Sequence, residues 1–142
     1  MKRTIILFLM VFFCIHNSKA QGFSTKQLVG TKWQKVNPEG LPTRIWEFTK
    51  KEIRDTNIYP VGIPIKTSRK YYLSTDIPAS FNFKRVGKNK KGKYLVYYVD
   101  KSEMMCCEEI VEITKDSLKL FHKRLPDSIG DNDSYLLFRK LK

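Results

Sequence analysis

The sequence predicts an all-β protein whose strands bury their apolar faces inside a closed barrel or between two packed sheets. Short segments rich in aromatic and β-branched residues recur from Lys32 onward, separated by Gly, Pro, Asn and Asp, and this rhythm indicates about eight or nine strands. The only helical candidate is residues 24–29, which Ser24 or Thr25 could cap and Gly30 could end. Since no long amphipathic helix is available to cover a sheet, barrel closure or sheet packing must bury the apolar faces.

The strands are predicted from alternation, because neighbouring residues of a strand face opposite sides. Residues 43–49 place Arg44 and Trp46 on one face. Residues 93–100 are apolar on both faces, which predicts a central strand, and residues 87–92 form a glycine-bearing hairpin loop before it. The remaining predicted strands span residues 52–58, 66–74, 80–85, 104–114, 118–124 and 135–141.

Residues 1–20 match the pattern of a secretory signal peptide. Lys2 and Arg3 precede a continuously apolar run at residues 5–15, and residues 18–20 end in the small side chains that signal peptidase accepts. The apolar run is shorter than the roughly 20 residues needed to span a bilayer. We therefore expect cleavage before Gln21, a single mature domain of residues 21–142, and a secreted or periplasmic protein without an integral membrane segment.

Removal of residues 1–20 limits the chemistry available to the mature chain. One histidine, His122, and two cysteines, Cys106 and Cys107, remain. A zinc site needs three or four converging ligands, so neither a metal nor a cofactor is expected. A Ser-His-Asp or Cys-His site would have to use His122. That histidine shares a face with Leu118 and Leu120, which favours a place at a barrel mouth over a role as a catalytic base.

The mature chain is strongly basic. It has 24 Lys and Arg, the 27 of the whole chain less three in residues 1–20, against 14 Asp and Glu. Several of the lysines cluster at the predicted hairpin loop, where a solvated tip is the expected role. Export argues against nucleic acid as a partner, whereas attraction to acidic glycans or membrane surfaces stays open. The clustered residues are Lys88, Lys90, Lys91 and Lys93.

The start of the mature chain resembles a known family. In residues 27–33, QLVGTKW, a short helical turn would lead through Gly30 to Trp33 on the first strand. This is similar to the opening of lipocalin-like proteins, although Lys32 adds one residue to the usual Gly-x-Trp spacing. With its length and strand rhythm, the chain most resembles the small secreted lipocalin-like proteins common in Bacteroidetes. The resemblance implies an up-and-down antiparallel barrel of about eight strands with a ligand cavity at its open end.

The same resemblance implies a structural pair at the closed end of the barrel. In lipocalins an arginine on the last strand lies across the tryptophan of the first strand. Arg139 is the candidate for that partner of Trp33, and a desolvated cation-π contact would contribute about 2 kcal/mol. The alternative is that Trp33 is an ordinary core aromatic residue.

The predicted cavity combines charges with aromatic rings. Glu109 shares a face with apolar residues of 104–114, and an acid there is costly unless it is paired or hydrated. If Arg44 and Arg85 also point inward, the cavity suits a ligand with an apolar body and a polar or anionic head. The alternative is that these charges lie at the rim in water. The predicted ligand-binding residues are Arg44, Trp46, Phe81, Phe83, Arg85, Tyr97, Glu109 and His122.

Cys106 and Cys107 are neighbours in a predicted strand, so their side chains should face opposite sides. A disulfide between them would strain the backbone, because bridged Cα atoms are usually about 5.5 Å apart and adjacent ones about 3.8 Å. Two separate thiols, a strained vicinal disulfide and intermolecular pairing in an oxidising compartment all remain open.

These observations favour a secreted, non-enzymatic binding protein that holds a small amphiphilic or anionic ligand in a barrel cavity. The alternative is an interaction module whose barrel is filled by its own aromatic residues and whose surface binds a partner protein or an acidic glycan. An enzyme would need a cleft in which His122 or Glu109 meets a partner that the sequence does not reveal.

Overall fold

The computed structural model describes residues 22–123 and 133–142, and within them the chain is an all-β protein, as predicted. Eight strands form one closed antiparallel barrel in the order β10-β2-β3-β4-β5-β7-β8-β9, while β1 and β6 pair as a separate ribbon. The strands are β1 Phe23–Ser24, β2 Lys32–Lys35, β3 Thr43–Phe48, β4 Glu52–Ile58, β5 Ile65–Ser74, β6 Lys91–Gly92, β7 Tyr94–Val99, β8 Met104–Ile113, β9 Ser117–His122 and β10 Ser134–Lys140.

The barrel is built by the up-and-down connection of neighbouring strands. Along the chain each barrel strand pairs with the next one, and β10 closes the cylinder by pairing with β2 through Arg139 opposite Gln34. Helical structure in the described residues is limited to the short 3-10 turns Thr25–Gln27, Phe83–Arg85 and Asp100–Ser102. The predicted up-and-down antiparallel barrel of about eight strands with a short N-terminal helical turn is therefore confirmed. None of the helical turns in these residues is long and apolar enough to cross a membrane.

The N-terminal turn closes one end of the barrel. Ser24 caps it through the backbone of Lys26, and Gln27 returns a hydrogen bond to the backbone of Ser24 in a capping box. The turn places Leu28 in the core with no exposed surface. Gly30, with φ of +79°, then reverses the chain into β2 in a backbone conformation that favours glycine. We call this the closed end.

Trp33 lies at the closed end, but its basic neighbour is not the predicted one. Arg139 is on the outer wall of the barrel, because Phe138 points into the core and adjacent residues of a strand alternate. The ammonium of Lys140 instead lies 5.8 Å from the centre of the Trp33 ring. Trp33 also donates its Nε1 hydrogen to the Thr31 hydroxyl at 2.6 Å. The prediction of Arg139 as the partner was wrong by one residue.

The middle of the barrel is filled by aromatic rings. Trp46 lies at its centre, with ring centroids 6.2 Å from Phe48, 5.8 Å from Tyr97 and 4.9 Å from Phe138. Towards the closed end, the Phe48 ring meets Tyr71 edge-on at 5.4 Å. Each such pair contributes about 0.5–1.5 kcal/mol beyond the burial of its area. The interior next to the closed end is therefore a packed core.

A β-bulge reverses the face of half of β8. Ile110 pairs with Leu120, yet the next paired residue, Glu112, is opposite Lys119, so Val111 is an extra residue in the strand. Beyond the bulge Ile113 packs against the core, as Ile110 does before it. If the bulge is ignored and inward and outward residues are alternated backwards from Ile113, every residue before Val111 is assigned to the wrong face. For this reason Glu109, predicted to point inward, lies on the outer wall.

Residues 80–85 do not form the predicted strand. Asn82 caps the turn Phe83–Arg85 by accepting a hydrogen bond from the backbone of Lys84 at 3.0 Å. The segment lies across the outside of the barrel, with the Phe81 ring 5.1 Å from Tyr72 and the Phe83 ring 5.2 Å from Tyr98. The aromatic side chains of this segment do pack on one side, as the sequence pattern indicates, but they cover the outer wall of the barrel.

Gly92 supports the closed end through a close backbone approach. A Cβ atom at this position would overlap the backbone oxygen of Ser74. We expect Gly92→Ala to lower the free energy of unfolding by about 1–3 kcal/mol, as overpacking does. Urea denaturation measures the loss. Gly40→Ala is the control, because Gly40 has open space around it and only a positive φ of +84°, which costs about 1 kcal/mol. A smaller loss for Gly92→Ala than for Gly40→Ala would contradict the steric argument.

Tyr71 makes the stability of the core sensitive to alkaline pH. Burial raises the pKa of Tyr71 from 10 to about 12, and its hydroxyl donates to the backbone oxygen of Thr49 at 2.8 Å. The unfolded chain therefore loses the Tyr71 proton first. This stabilisation, about 3 kcal/mol for two pKa units, is complete below pH 10 and is lost as the pH rises towards about 12.

Tyr71→Phe tests this expectation. At neutral pH the variant should have a free energy of unfolding about 1 kcal/mol below that of the wild type, because it lacks the hydrogen bond to Thr49. Between pH 10 and pH 12 its free energy of unfolding should fall less than that of the wild type. Urea denaturation across that range measures both effects. Tyr135→Phe changes an exposed tyrosine and should keep the wild-type slope. An unchanged slope in Tyr71→Phe would show that ionisation of Tyr71 does not govern alkaline unfolding.

Candidate functional site

Polar side chains gather inside the barrel at the end opposite the N-terminal turn, which we call the open end. The start of β3, the end of β4 and the first half of β5 meet there, together with the end of β7, the start of β8 and the end of β9. Antiparallel pairing brings these strand ends to the same pole of the cylinder. The inward residues that they contribute, which we call the mouth cluster, are Arg44, Asp55, Arg69, Tyr97, Glu108 and His122.

One half of the mouth cluster is built on a buried carboxylate. Asp55 has no exposed surface. Arg44 donates its Nε hydrogen to both carboxylate oxygens at 3.1 Å and its Nη2 hydrogen to Oδ2 at 2.6 Å. Arg69 approaches the same oxygen from β5 with its Nη2 at 2.8 Å. Burial alone would lower the pKa of Arg44, but the hydrogen bonds and charge of Asp55 outweigh it, so that pKa is raised. Arg44 therefore stays charged inside the barrel.

The other half is built on a second buried carboxylate, Glu108, which is 2% exposed. The Tyr97 hydroxyl donates to it at 3.1 Å, and Nδ1 of His122 lies 3.0 and 3.1 Å from its two oxygens. Burial, and next the charge of Glu108, raises the pKa of Tyr97, so the phenol stays a neutral donor. The Arg69 guanidinium lies 5.5 Å from the centre of the Tyr97 ring and connects the two halves.

The mouth cluster has more hydrogen-bond donors than its own acceptors use. A guanidinium carries five N–H hydrogens, and Arg69, whose side chain is 16% exposed, directs only one nitrogen to Asp55. The indole Nε1 of Trp46 is also buried and has no hydrogen-bond partner in the described part of the chain, and the same holds for the Thr67 hydroxyl. The open end is therefore suited to a ligand that brings acceptor oxygens.

The structure brings together half of the residues predicted to bind a ligand. Arg44, Trp46, Tyr97 and His122 all lie inside the barrel at or near the mouth cluster. The inward direction predicted for the other four was wrong. Phe81 and Phe83 cover the outer wall, Arg85 donates to the backbone oxygen of Leu73 and lies 4.5 Å from the Tyr72 ring, and Glu109 faces outward from β8 and pairs with Lys93 at 3.0 Å.

Three members of the mouth cluster were missed in the sequence. Asp55 alternates with the inward Ile53 of β4, and Arg69 alternates with the inward Tyr71 of β5, so their inward direction could have been found from those strands. The contact between Asp55 and Arg69 could not have been found from the sequence, since it depends on the pairing of β3, β4 and β5. Glu108 was hidden by the bulge at Val111.

Cys106 and Cys107 are free thiols in the structure. Cys106 is opposite Tyr97 and packs against the core, while Cys107 is opposite Val96, and alternation places it on the outer wall. Burial raises the pKa of the Cys106 thiol and raises that of the Cys107 thiol to about 11. Both thiols are therefore protonated at neutral pH, and a protonated thiol is a poor nucleophile.

The next feature is the arrangement of potential metal ligands in residues 22–123 and 133–142. Among them, no group of three or more His, Cys, Asp or Glu side chains is arranged to hold a metal ion. The two buried carboxylates are instead engaged by guanidinium, phenol and imidazole groups.

Comparisons with protein-family models, with curated proteins and with solved structures give no match for this chain.

Asp55 is the residue on which the mouth cluster should depend most. Replacement by Asn leaves Arg44 and Arg69 next to each other without their shared counter-charge, and breaking a buried ion pair costs about 3–5 kcal/mol. Urea denaturation of Asp55→Asn should show this loss in the free energy of unfolding.

Glu47→Gln is the matched control for Asp55→Asn. Glu47 forms ion pairs with Lys32 at 3.4 Å and Arg54 at 4.0 Å on the outer wall, and such surface pairs contribute about 0–1 kcal/mol. Equal losses in the two variants would mean that the buried carboxylate is no more important than an ordinary surface charge.

Proposed function

We propose that the protein is an exported, non-enzymatic binding protein that holds a small anionic or amphiphilic molecule by its head group at the open end of the barrel. The observation that carries this proposal is the buried Nε1 hydrogen of Trp46, which has no hydrogen-bond partner among residues 22–123 and 133–142. The centre of the Trp46 ring lies 5.1 Å from the guanidinium carbon of Arg44. A buried donor without a partner costs about 1–3 kcal/mol, so a ligand oxygen that accepts this hydrogen regains that energy.

The charges favour an oxyanion as the head group. Arg44 and Arg69 present spare N–H donors from two strands, and guanidinium groups bind carboxylate and phosphate oxygens with paired hydrogen bonds. Glu108 lies across the barrel and would repel an anion that approached β8. The head group therefore fits best against β3 and β5, near Arg44, Arg69 and Trp46, on the guanidinium hydrogens that are not directed at Asp55 of β4.

The packed centre of the barrel limits how deep a ligand can enter. The Trp46 ring is already in contact with Phe48, Tyr97 and Phe138. This packing favours a ligand whose head lies on the mouth cluster and whose apolar body extends towards the rim. It also combines the two hypotheses drawn from the sequence, since one end of the barrel is filled by its own aromatic residues and the other end carries the polar groups.

The proposal includes export and kinship with lipocalin-like proteins. The signal-peptide pattern of residues 1–20 supports a secreted or periplasmic location. The eight-stranded closed barrel and the capped N-terminal turn support the lipocalin-like kinship. The raised pKa values of both thiols give no support to a cysteine nucleophile.

Binding of dodecanoate and of dodecyltrimethylammonium, two molecules with the same tail and opposite head charge, tests the proposal. Isothermal titration calorimetry should detect binding of dodecanoate and little binding of the cation. Trp46→Phe removes the unpartnered donor and should weaken dodecanoate binding about tenfold or more, since a hydrogen bond to a charged group contributes about 1.5–3 kcal/mol.

Trp33→Phe is the matched control. Its Nε1 hydrogen is donated to Thr31 at the closed end, so this variant should lose stability but bind dodecanoate as the wild type does. Native mass spectrometry of the exported protein checks independently for a retained molecule. Absence of both dodecanoate binding and a retained anionic or amphiphilic molecule would refute the proposal.

A further inference from the structure

The loop between β4 and β5 exposes an unusual amount of apolar surface. The run Tyr59-Pro60-Val61-Gly62-Ile63-Pro64-Ile65 has no charged side chain. Val61 is 94% exposed and Ile63 is 88% exposed. Neither residue covers the barrel, so burial within the fold does not explain them. Contiguous apolar side chains that are exposed to solvent usually mark a site that binds a protein, a membrane or a ligand.

Neighbouring residues extend this surface into a patch at the open end. Thr43 pairs with Ile58 and Asn57 pairs with Ile65, so the ends of β3, β4 and β5 meet at the base of the loop. Exposed apolar side chains lie at this base and on the preceding connection, between β2 and β3. We call the following residues the apolar rim: Leu41, Ile58, Tyr59, Val61, Ile63 and Ile65.

The backbone of the loop suits an apolar environment. Pro60 and Pro64 have no N–H group, which reduces the number of backbone donors that would lose water on entering the edge of a bilayer. The loop is also short, so only its tip would reach the level of the head groups. A shallow insertion of this kind needs no membrane-spanning element.

The charges beside the loop favour an acidic surface. From residue 56 to residue 75 the chain has no Asp or Glu, and its charged residues there are Lys66, Arg69 and Lys70. Lys66 is exposed and directly follows the loop. The chain from Gln21 has 24 Lys and Arg, the 27 of the whole chain less three in residues 1–20, against 14 Asp and Glu. This positive excess opposes association of two copies through this patch, whereas it attracts the chain to anionic lipids.

We propose that the apolar rim docks the barrel on the surface of a bilayer that contains anionic lipids, with Val61 and Ile63 inserted at the level of the head groups and Lys66 beside the lipid phosphates. This arrangement turns the open end towards the membrane. It does not depend on the proposed small-molecule ligand, because it uses the outside of the rim and not the mouth cluster.

Vesicle flotation tests this docking. The chain used begins at Gln21, because the apolar run of residues 5–15 would itself bind lipid and because the complete barrel lies within residues 22–142. Circular dichroism checks that each variant is folded. The wild type should float with vesicles of phosphatidylcholine and phosphatidylglycerol and should remain behind with vesicles of phosphatidylcholine alone. Ile63→Asp should weaken flotation about tenfold or more, as expected from the loss of one buried apolar side chain.

Matched substitutions at the other end of the barrel control for generic effects. Ile77 is 60% exposed on the connection that follows β5, and Ile77→Asp should float like the wild type. Lys66→Glu should weaken flotation several-fold, whereas Lys26→Glu, at the closed end, should weaken it much less.

The two proposals fail separately. Trp46→Phe should still float with the anionic vesicles while it loses dodecanoate binding, and Ile63→Asp should show the reverse. Failure of the wild type to float with the anionic vesicles, or equal flotation by Ile63→Asp and Ile77→Asp, would overturn the docking proposal.

Discussion

The carboxylate of Asp55, which has no exposed surface, holds the guanidinium groups of Arg44 and Arg69 together inside the barrel. Three neighbouring strands each contribute one of these charges. A charge inside a protein is tolerated only when it is paired, so the open half of the barrel can keep two arginines in its interior only while Asp55 lies between them.

The second carboxylate, Glu108, has a different role. It fixes the Tyr97 hydroxyl and faces His122, so the phenol and the imidazole are held against β8. The two carboxylates therefore divide the mouth between them. On one side the spare hydrogens of the guanidinium groups remain available, and on the other side the donors are already directed at the protein. For the oxyanion that we propose as the ligand head group, this asymmetry defines a preferred side of the open end.

Much of the fold was visible in the sequence, because alternation along 43–49 and the absence of a long helix left few ways to bury the strands. The predicted direction of a side chain was wrong where an extra residue in a strand, or a segment outside the barrel, reverses the face on which that side chain lies. Because of the bulge at Val111, Glu109 was predicted to point inward, whereas Glu108 is the residue that does. The aromatic run at residues 80–85 packs on the outer wall, and the periodicity of the sequence cannot distinguish the outer wall from the inner one. The pairing of Asp55 with two arginines was hidden for another reason, since it arises only when β3, β4 and β5 lie side by side.

The ribbon of β1 and β6 and the end of β10 have a practical consequence. Phe23 is tied to Gly92 in that ribbon, and Lys140 is opposite Trp33, so both ends of the described chain leave the barrel at its closed pole. An affinity tag, a fluorescent fusion or a surface tether joined to residue 22 or 142 would therefore be attached far from the mouth cluster. A sensor chip coated through either end would present the open pole to the solution, with the orientation set by the fold itself.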